Sequence, residues 1–166
     1  MKKTLLSVLI ITIFVQILIP SYMIWNKYDV LKNGTEVKIK VAPIDPYDVF
    51  RGRYVSLWYD NELEYLQRQG KYGILEIDEE GFAIVKKAVK KQPENGLYLT
   101  SKDDDYFYFP LDRYYMEETL APKAEEMISE ENNAYVTVRI KGDKSVLSGL
   151  YIDGKPIEEV LTQNAD

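Results

Sequence analysis

A chain of 166 residues allows one domain of ordinary size and a short appendage, since single domains run to roughly 100–200 residues. Without cysteine or histidine it has no disulfide, thiolate nucleophile, Cys/His zinc site or Ser-His-Asp triad, and neither a cofactor nor a metal is expected. Its 21 basic and 27 acidic residues leave a net charge of −6, which argues against a nucleic-acid partner.

The first element is an apolar helix. Lys2 and Lys3 precede Thr4 to Asn26, a stretch of 23 residues without a charge. As a helix, Leu5 to Trp25 reaches roughly 30 Å, the thickness of the hydrocarbon core of a bilayer. Tyr22 and Trp25 fall at the far interface, and Lys27 ends the span. The two lysines predict a cytoplasmic N-terminus and an extracytoplasmic remainder, by the positive-inside rule. A cleaved secretory signal shares the basic and apolar regions but needs small residues at a cleavage site, and Ile19-Pro20-Ser21-Tyr22-Met23 lacks that pattern. The expectation is therefore a single-pass signal anchor in the cell membrane. Ser7 and Thr12 can bond their own helix backbone, while Gln16 is either a contact to a partner helix or a tolerated polar residue. The chain divides into residues 1–26 as stub and anchor, 27–33 as a juxtamembrane linker, and 34–166 as one extracytoplasmic domain.

From Tyr28 onward there are 18 basic and 27 acidic residues, so the outer part is acidic and is read as a solvated domain held off anionic headgroups. Its pattern is mostly of period two. Glu36 to Val41 alternates polar and apolar; Tyr54 to Tyr59, Tyr72 to Ile77 and Phe82 to Val89 are rich in aromatic and β-branched residues. Asp78-Glu79-Glu80-Gly81 predicts a hairpin turn. Leu97 to Thr100 and Tyr106 to Phe109 are read as a second hairpin across Ser101 to Asp105, and Ala134 to Ile140 with Val146 to Ile152 as a third across Lys141 to Ser145. Short helices are expected at Asn61 to Arg68 and at Pro122 to Glu131. The fold class is mainly β, with seven or eight strands in a small antiparallel barrel or sandwich, one or two short helices, and the N-terminal transmembrane helix before them.

The densest run of special residues is Pro43 to Tyr59. Pro43 and Pro46 stiffen the chain around Asp45. Asp45 and Asp48 are suited to accept backbone N–H bonds, and Arg51 is near enough to pair with either. Gly52 suits a backbone position closed to other residues. Beyond it, Tyr54, Ser56 and Trp58 face one side, and Val55, Leu57 and Tyr59 the other.

Gly52, Tyr54, Leu57 and Tyr59 make this run resemble the GDYXXLXY family of membrane-anchored bacterial proteins, whose biochemical role is not established. The family's Asp is Arg53 here, so that position offers no carboxylate for metal or proton handling. The resemblance extends to the lone anchor, Val41 to Pro46, Phe50-Arg51-Gly52, Arg113-Tyr114-Tyr115 with Glu117, and Leu147 to Gly154, and so covers nearly the whole chain. Family members are often encoded beside, or joined to, multi-pass membrane proteins. The resemblance thus implies an integral-membrane partner in addition to the lipid bilayer met by residues 4–26.

Each candidate site has a plain structural reading beside it. Asp45, Asp48, Arg51 and Gly52 form either a turn locked by an internal ion pair or the rim of a binding cleft beside the membrane. Asp103-Asp104-Asp105 lacks the spacing of a calcium loop and is read as a solvated hairpin tip. Arg113, Tyr114 and Tyr115 make an anionic-ligand site, or else Arg113 pairs with a carboxylate and the tyrosines divide between core and surface. Fourteen tyrosines are strand formers or, alternatively, platforms for cell-wall glycans. No nucleophile-and-base constellation is visible, so a hydrolase free of His and Cys ranks below a non-catalytic partner or ligand-binding module.

Overall fold

The computed structural model describes residues 2–41, 54–59, 65–129 and 133–163. The uncharged segment forms most of one helix, α1 (Lys2–Asn33), which contains Pro20. It is long and apolar enough to cross a membrane. Its apolar side chains stand away from the rest of the protein, with Phe14 63% and Ile24 68% exposed. Thr12 and Ser21 donate their hydroxyls to the carbonyls of Val8 and Ile17 at 2.9 and 2.8 Å, so their polar groups are met within the helix. Residues 27–33, read from sequence as a linker, are the last two turns of the same helix. Nothing interrupts it before Gly34, and Val30 is buried against the domain.

Nine strands follow among the described residues, in three antiparallel sheets that do not close into a barrel. The four-stranded sheet has the order β1 (Thr35–Lys40), β7 (Ala134–Lys141), β8 (Lys144–Ile152), β9 (Lys155–Pro156). The three-stranded sheet has β3 (Tyr72–Ile77) between β4 (Ala83–Val89) and β5 (Tyr98–Thr100). β2 (Tyr54–Ser56) pairs with β6 (Arg113–Tyr115). The alternation read in β1 is kept: Val37 and Ile39 are buried, while Glu36, Lys38 and Lys40 face outward. Lys40 reaches Glu80 at 2.6 Å, tying β1 to the β3–β4 turn. That turn forms as expected, with the Asp78 carboxylate accepting from the amides of Glu80 and Phe82 at 2.9 and 2.8 Å.

The second expected hairpin does not form. β5 pairs with β3, and residues 106–109 make no strand with it. Their amides are committed elsewhere: Tyr106 to the Asp103 carboxylate at 2.8 Å, Phe107 to the Arg68 carbonyl at 2.8 Å and Tyr108 to the Ser101 hydroxyl at 3.1 Å. Buried Ser101 also donates its hydroxyl to the Tyr106 carbonyl, so one side chain holds the loop that a ladder was expected to hold. Phe107, fully buried, lies over Gly73, where a Cβ would meet its ring at 2.5 Å.

The third hairpin is the spine of the domain. Gly142, at φ 59°, turns β7 into β8. Ser148 is the extra residue of a β-bulge opposite Thr137 and Val138, its hydroxyl 3.0 Å from that of buried Thr137. Asp153 and Gly154, both with positive φ, then make a two-residue turn into β9.

Of the two helices expected from sequence in the domain, one is α2 (Ala121–Ser129). The other is a single 3₁₀ turn, Tyr65–Arg68, and residues 61–64 lie outside the described set. α3 (Ile157–Gln163) is an addition; Ile157 and Leu161 bury one turn apart against β8 and β9. Seven residues, with Ile157, Val160 and Leu161 as the apolar ones, are too few for a helical period to signal.

Candidate functional site

The motif strand and its neighbours meet in one place. Along β2 and the three residues after it the alternation is as read: Val55 and Leu57 are buried, Tyr54 and Ser56 half-buried, and Trp58 69% exposed. β6 pairs with β2 in the register Tyr54 to Tyr115, Val55 to Tyr114 and Ser56 to Arg113. The two runs singled out in the sequence are therefore adjacent strands. α2 covers the inner side with Ala121, Ala124 and Ile128, and Glu125 accepts the Ser56 amide at 3.2 Å. Glu117 starts that helix: its carbonyl accepts from Leu120 and Ala121, and its carboxylate from the Thr119 hydroxyl at 3.0 Å.

Inward-facing motif residues serve packing. Tyr59 stacks on Phe109 with ring centroids 4.2 Å apart and donates its hydroxyl to the Leu111 carbonyl. Burial first, and the nearby Asp112 charge second, push its phenol well above the ordinary tyrosine range. Leu57 lies in the same core, and its amide bonds the Asp112 carbonyl at 3.0 Å. Tyr114, half-buried, donates to Glu158 of α3 at 2.6 Å; burial and then that bond raise its phenol too. Tyr115 is 69% exposed, so these two tyrosines do divide between core and surface.

The outward residues form a different surface. The Arg113 guanidinium lies 4.8 Å from the centroid of the Tyr54 ring, and Tyr115 meets the same ring edge-on at 5.9 Å. A hydrogen bond to Tyr115 first, then Tyr54 and Asp112, hold that guanidinium above its usual range. Asp112 lies 3.8 Å from Arg113 and 3.5 Å from Lys102. Beside them is a cleft of about 550 Å³ lined by Lys27, Lys102, Pro110 to Tyr115 and Ser145 to Leu147. Arg113 lines it and Tyr54 does not. Asp45, Asp48, Arg51, Gly52 and Arg53 lie outside the described residues.

The Asp103 carboxylate accepts from the amides of Asp105 and Tyr106, which hold it below the usual carboxylate range, and Asp104 pairs with Lys71 at 2.6 Å. The three aspartates thus shape and tether a loop. Among the described residues no group of His, Cys, Asp or Glu is placed to hold a metal ion.

Sequence reasoning missed Lys27, Lys102, Asp112, Glu125 and Glu158 as neighbours of the motif. Lys27 reads only as the end of the span, and nothing local marks the others, which arrive from remote parts of the chain.

The pattern of the GDYXXLXY protein family matches residues 16–150. The chain belongs to the GDYXXLXY family. The match begins inside α1 and ends at Leu150 in β8, so the second half of the apolar helix is part of the family pattern together with the domain up to that strand. In this GDYXXLXY protein, Leu57 and Tyr59 of the motif are core residues, Tyr54 sits under Arg113, and the closing Ser148-Gly149 is the β8 bulge. Comparison with curated proteins and with solved structures gives no match.

Proposed function

We propose that this GDYXXLXY protein is a single-pass membrane protein with a cytoplasmic N-terminus and an extracytoplasmic domain, and that it works as a non-catalytic partner of an integral membrane protein. The observation that carries this reading is the outer face of β2 and β6. Tyr54, Trp58, Arg113 and Tyr115 are the residue types that anchor protein interfaces, and Trp58, two residues past β2, stands 69% exposed between buried Leu57 and Tyr59. The core does not use that ring.

The junction with α1 supports a partner in the same bilayer. α1 runs straight into the domain, and its last turns bond Lys141 and Lys144 at the β7–β8 turn, which supports a domain held close to the end of the helix. The family resemblance to proteins found beside multi-pass membrane proteins points the same way.

The test is a photoreactive amino acid at position 58 of the full chain in its native membrane. The expected product is a discrete adduct with a multi-pass protein, lost when the probe is moved to Glu36 on the four-stranded sheet. Adducts with lipid or glycan alone reject the partner reading.

A further inference from the structure

Two clefts on the described surface are of similar size. In the one lined by Lys40, Phe82, Tyr135 and Asp153, the lysine is already paired with Glu80 at 2.6 Å and sits over the Phe82 ring. The cleft beside β6 differs: among the described residues that line it, Lys27, Lys102 and Arg113 accompany a single carboxylate, Asp112. Asp112 lies 3.5 Å from Lys102 and 3.8 Å from Arg113, whereas the close ion pairs of the protein measure 2.6–2.7 Å. Among the described residues, one carboxylate at those distances leaves the three cations in excess, and Lys27 makes no ion pair. This is a cationic pocket in a region where 27 acidic residues outnumber 18 basic ones.

Its height along α1 is the second observation. Lys27 directly follows the uncharged segment that ends at Asn26. Lys144 donates to the Asn26 side chain at 2.9 Å, so the β7–β8 turn comes down to the end of the span. The next residues of β8, Ser145 to Leu147, form one wall of the cleft. With α1 as a membrane anchor, the cleft lies at the level of the lipid headgroups, and Pro110, Leu111 and Leu147 supply apolar wall beside the cations.

We propose that this cleft binds the phosphate group of an anionic membrane lipid. Arg113 offers a planar fork of donors to phosphate oxygens, and Lys27 and Lys102 supply point charges on either side. The proposal rests on α1 being the membrane anchor.

The experiment uses the full chain in phosphatidylcholine nanodiscs, titrated by calorimetry with short-chain phosphatidylglycerol and, separately, with inorganic phosphate. Saturable binding is expected, weakened about tenfold by Lys27→Gln and by Arg113→Gln, since a hydrogen bond to a charged group contributes at least that factor. Exposed Lys91, away from the cleft, provides the control, and Lys91→Gln is expected to bind as the parent does. Saturation by the lipid alone assigns the site to a headgroup, and saturation by both probes assigns it to phosphate from either source. No saturable binding, equal weakening by Lys91→Gln, or parental binding by the Lys27/Arg113 double variant overturns the proposal. If the chain fails to enter nanodiscs, the anchor reading falls with it; if it enters and does not bind, the cleft proposal falls alone.

Discussion

The ammonium of Lys141 lies 2.7 Å from the carboxylate of Asp29, joining the end of β7 to the last turns of α1 across 112 positions of sequence. Around that pair, Val30 is buried, Lys144 bonds Asn26, and Arg139 reaches the Gly34 carbonyl at 3.4 Å. An exposed ion pair contributes at most about 1 kcal/mol, so the junction is held mainly by the packing of Val30 and the close approach at Gly34.

Gly34 tests that junction. A Cβ there would meet the Val30 carbonyl oxygen at 2.5 Å and the Ile140 amide nitrogen at 3.1 Å, both backbone atoms with little room to yield. Gly34→Ala is expected to cost about 2 kcal/mol and to lower Tm by several degrees in detergent. An unchanged melting curve would show that α1 and the domain are not packed together as described.

Tyr59 combines a buried ring with a donated hydroxyl. Tyr59→Phe keeps the stack on Phe109 and leaves the Leu111 carbonyl without that donor, for an expected loss of about 1–2 kcal/mol in chemical denaturation. Tyr59→Ala also opens a cavity and is expected to cost about 3–5 kcal/mol.

The same phenol sets an alkaline limit. Tyr59 and Tyr114 have folded pKa values above the ordinary one, near 10, so above that pH the unfolded chain releases protons that the folded chain retains. Their contribution is full below pH ~10 and is lost as pH rises toward the folded values. The Tyr59→Phe/Tyr114→Phe variant should therefore show a shallower fall of stability with pH in alkaline unfolding.

Asp103 behaves in the opposite sense. Its lowered pKa means that its loop is stabilised at neutral pH and loses that support as pH falls below the ordinary carboxylate range. Hydrogen exchange at the Asp105 and Tyr106 amides, both bonded to that carboxylate, is expected to accelerate in Asp103→Ala at neutral pH while the amides of β7 keep their protection.

Trp58→Ala separates interface from fold. The ring is 69% exposed, so stability should change by no more than about 0.5 kcal/mol, while the yield of partner crosslinks from a probe at Tyr115 should fall severalfold. Equal losses of folding and crosslinking would assign Trp58 to the structure.

What the sequence determined by itself is everything whose cause is local. A run of 23 uncharged residues made α1 legible, because spanning depends on length and composition alone. Period two placed β1 and told Leu57 and Tyr59 from Trp58, since side chains of a strand alternate whatever the strand pairs with, while aromatic and β-branched content and turn residues placed β3, β4, β7 and β8. Asp78 and Gly142 marked their turns through their own hydrogen bonding and φ. Tertiary structure decided who meets whom. β6 beside β2, Ser101 in place of a hairpin, and Lys27 brought to Lys102 and Arg113 all join residues far apart in the chain. Such partners are selected by the packing of the whole core, in which Tyr54 to Ser56 pair with Arg113 to Tyr115 and α2 packs on their inner side. No window of sequence contains that competition, and the cleft exists only as its outcome.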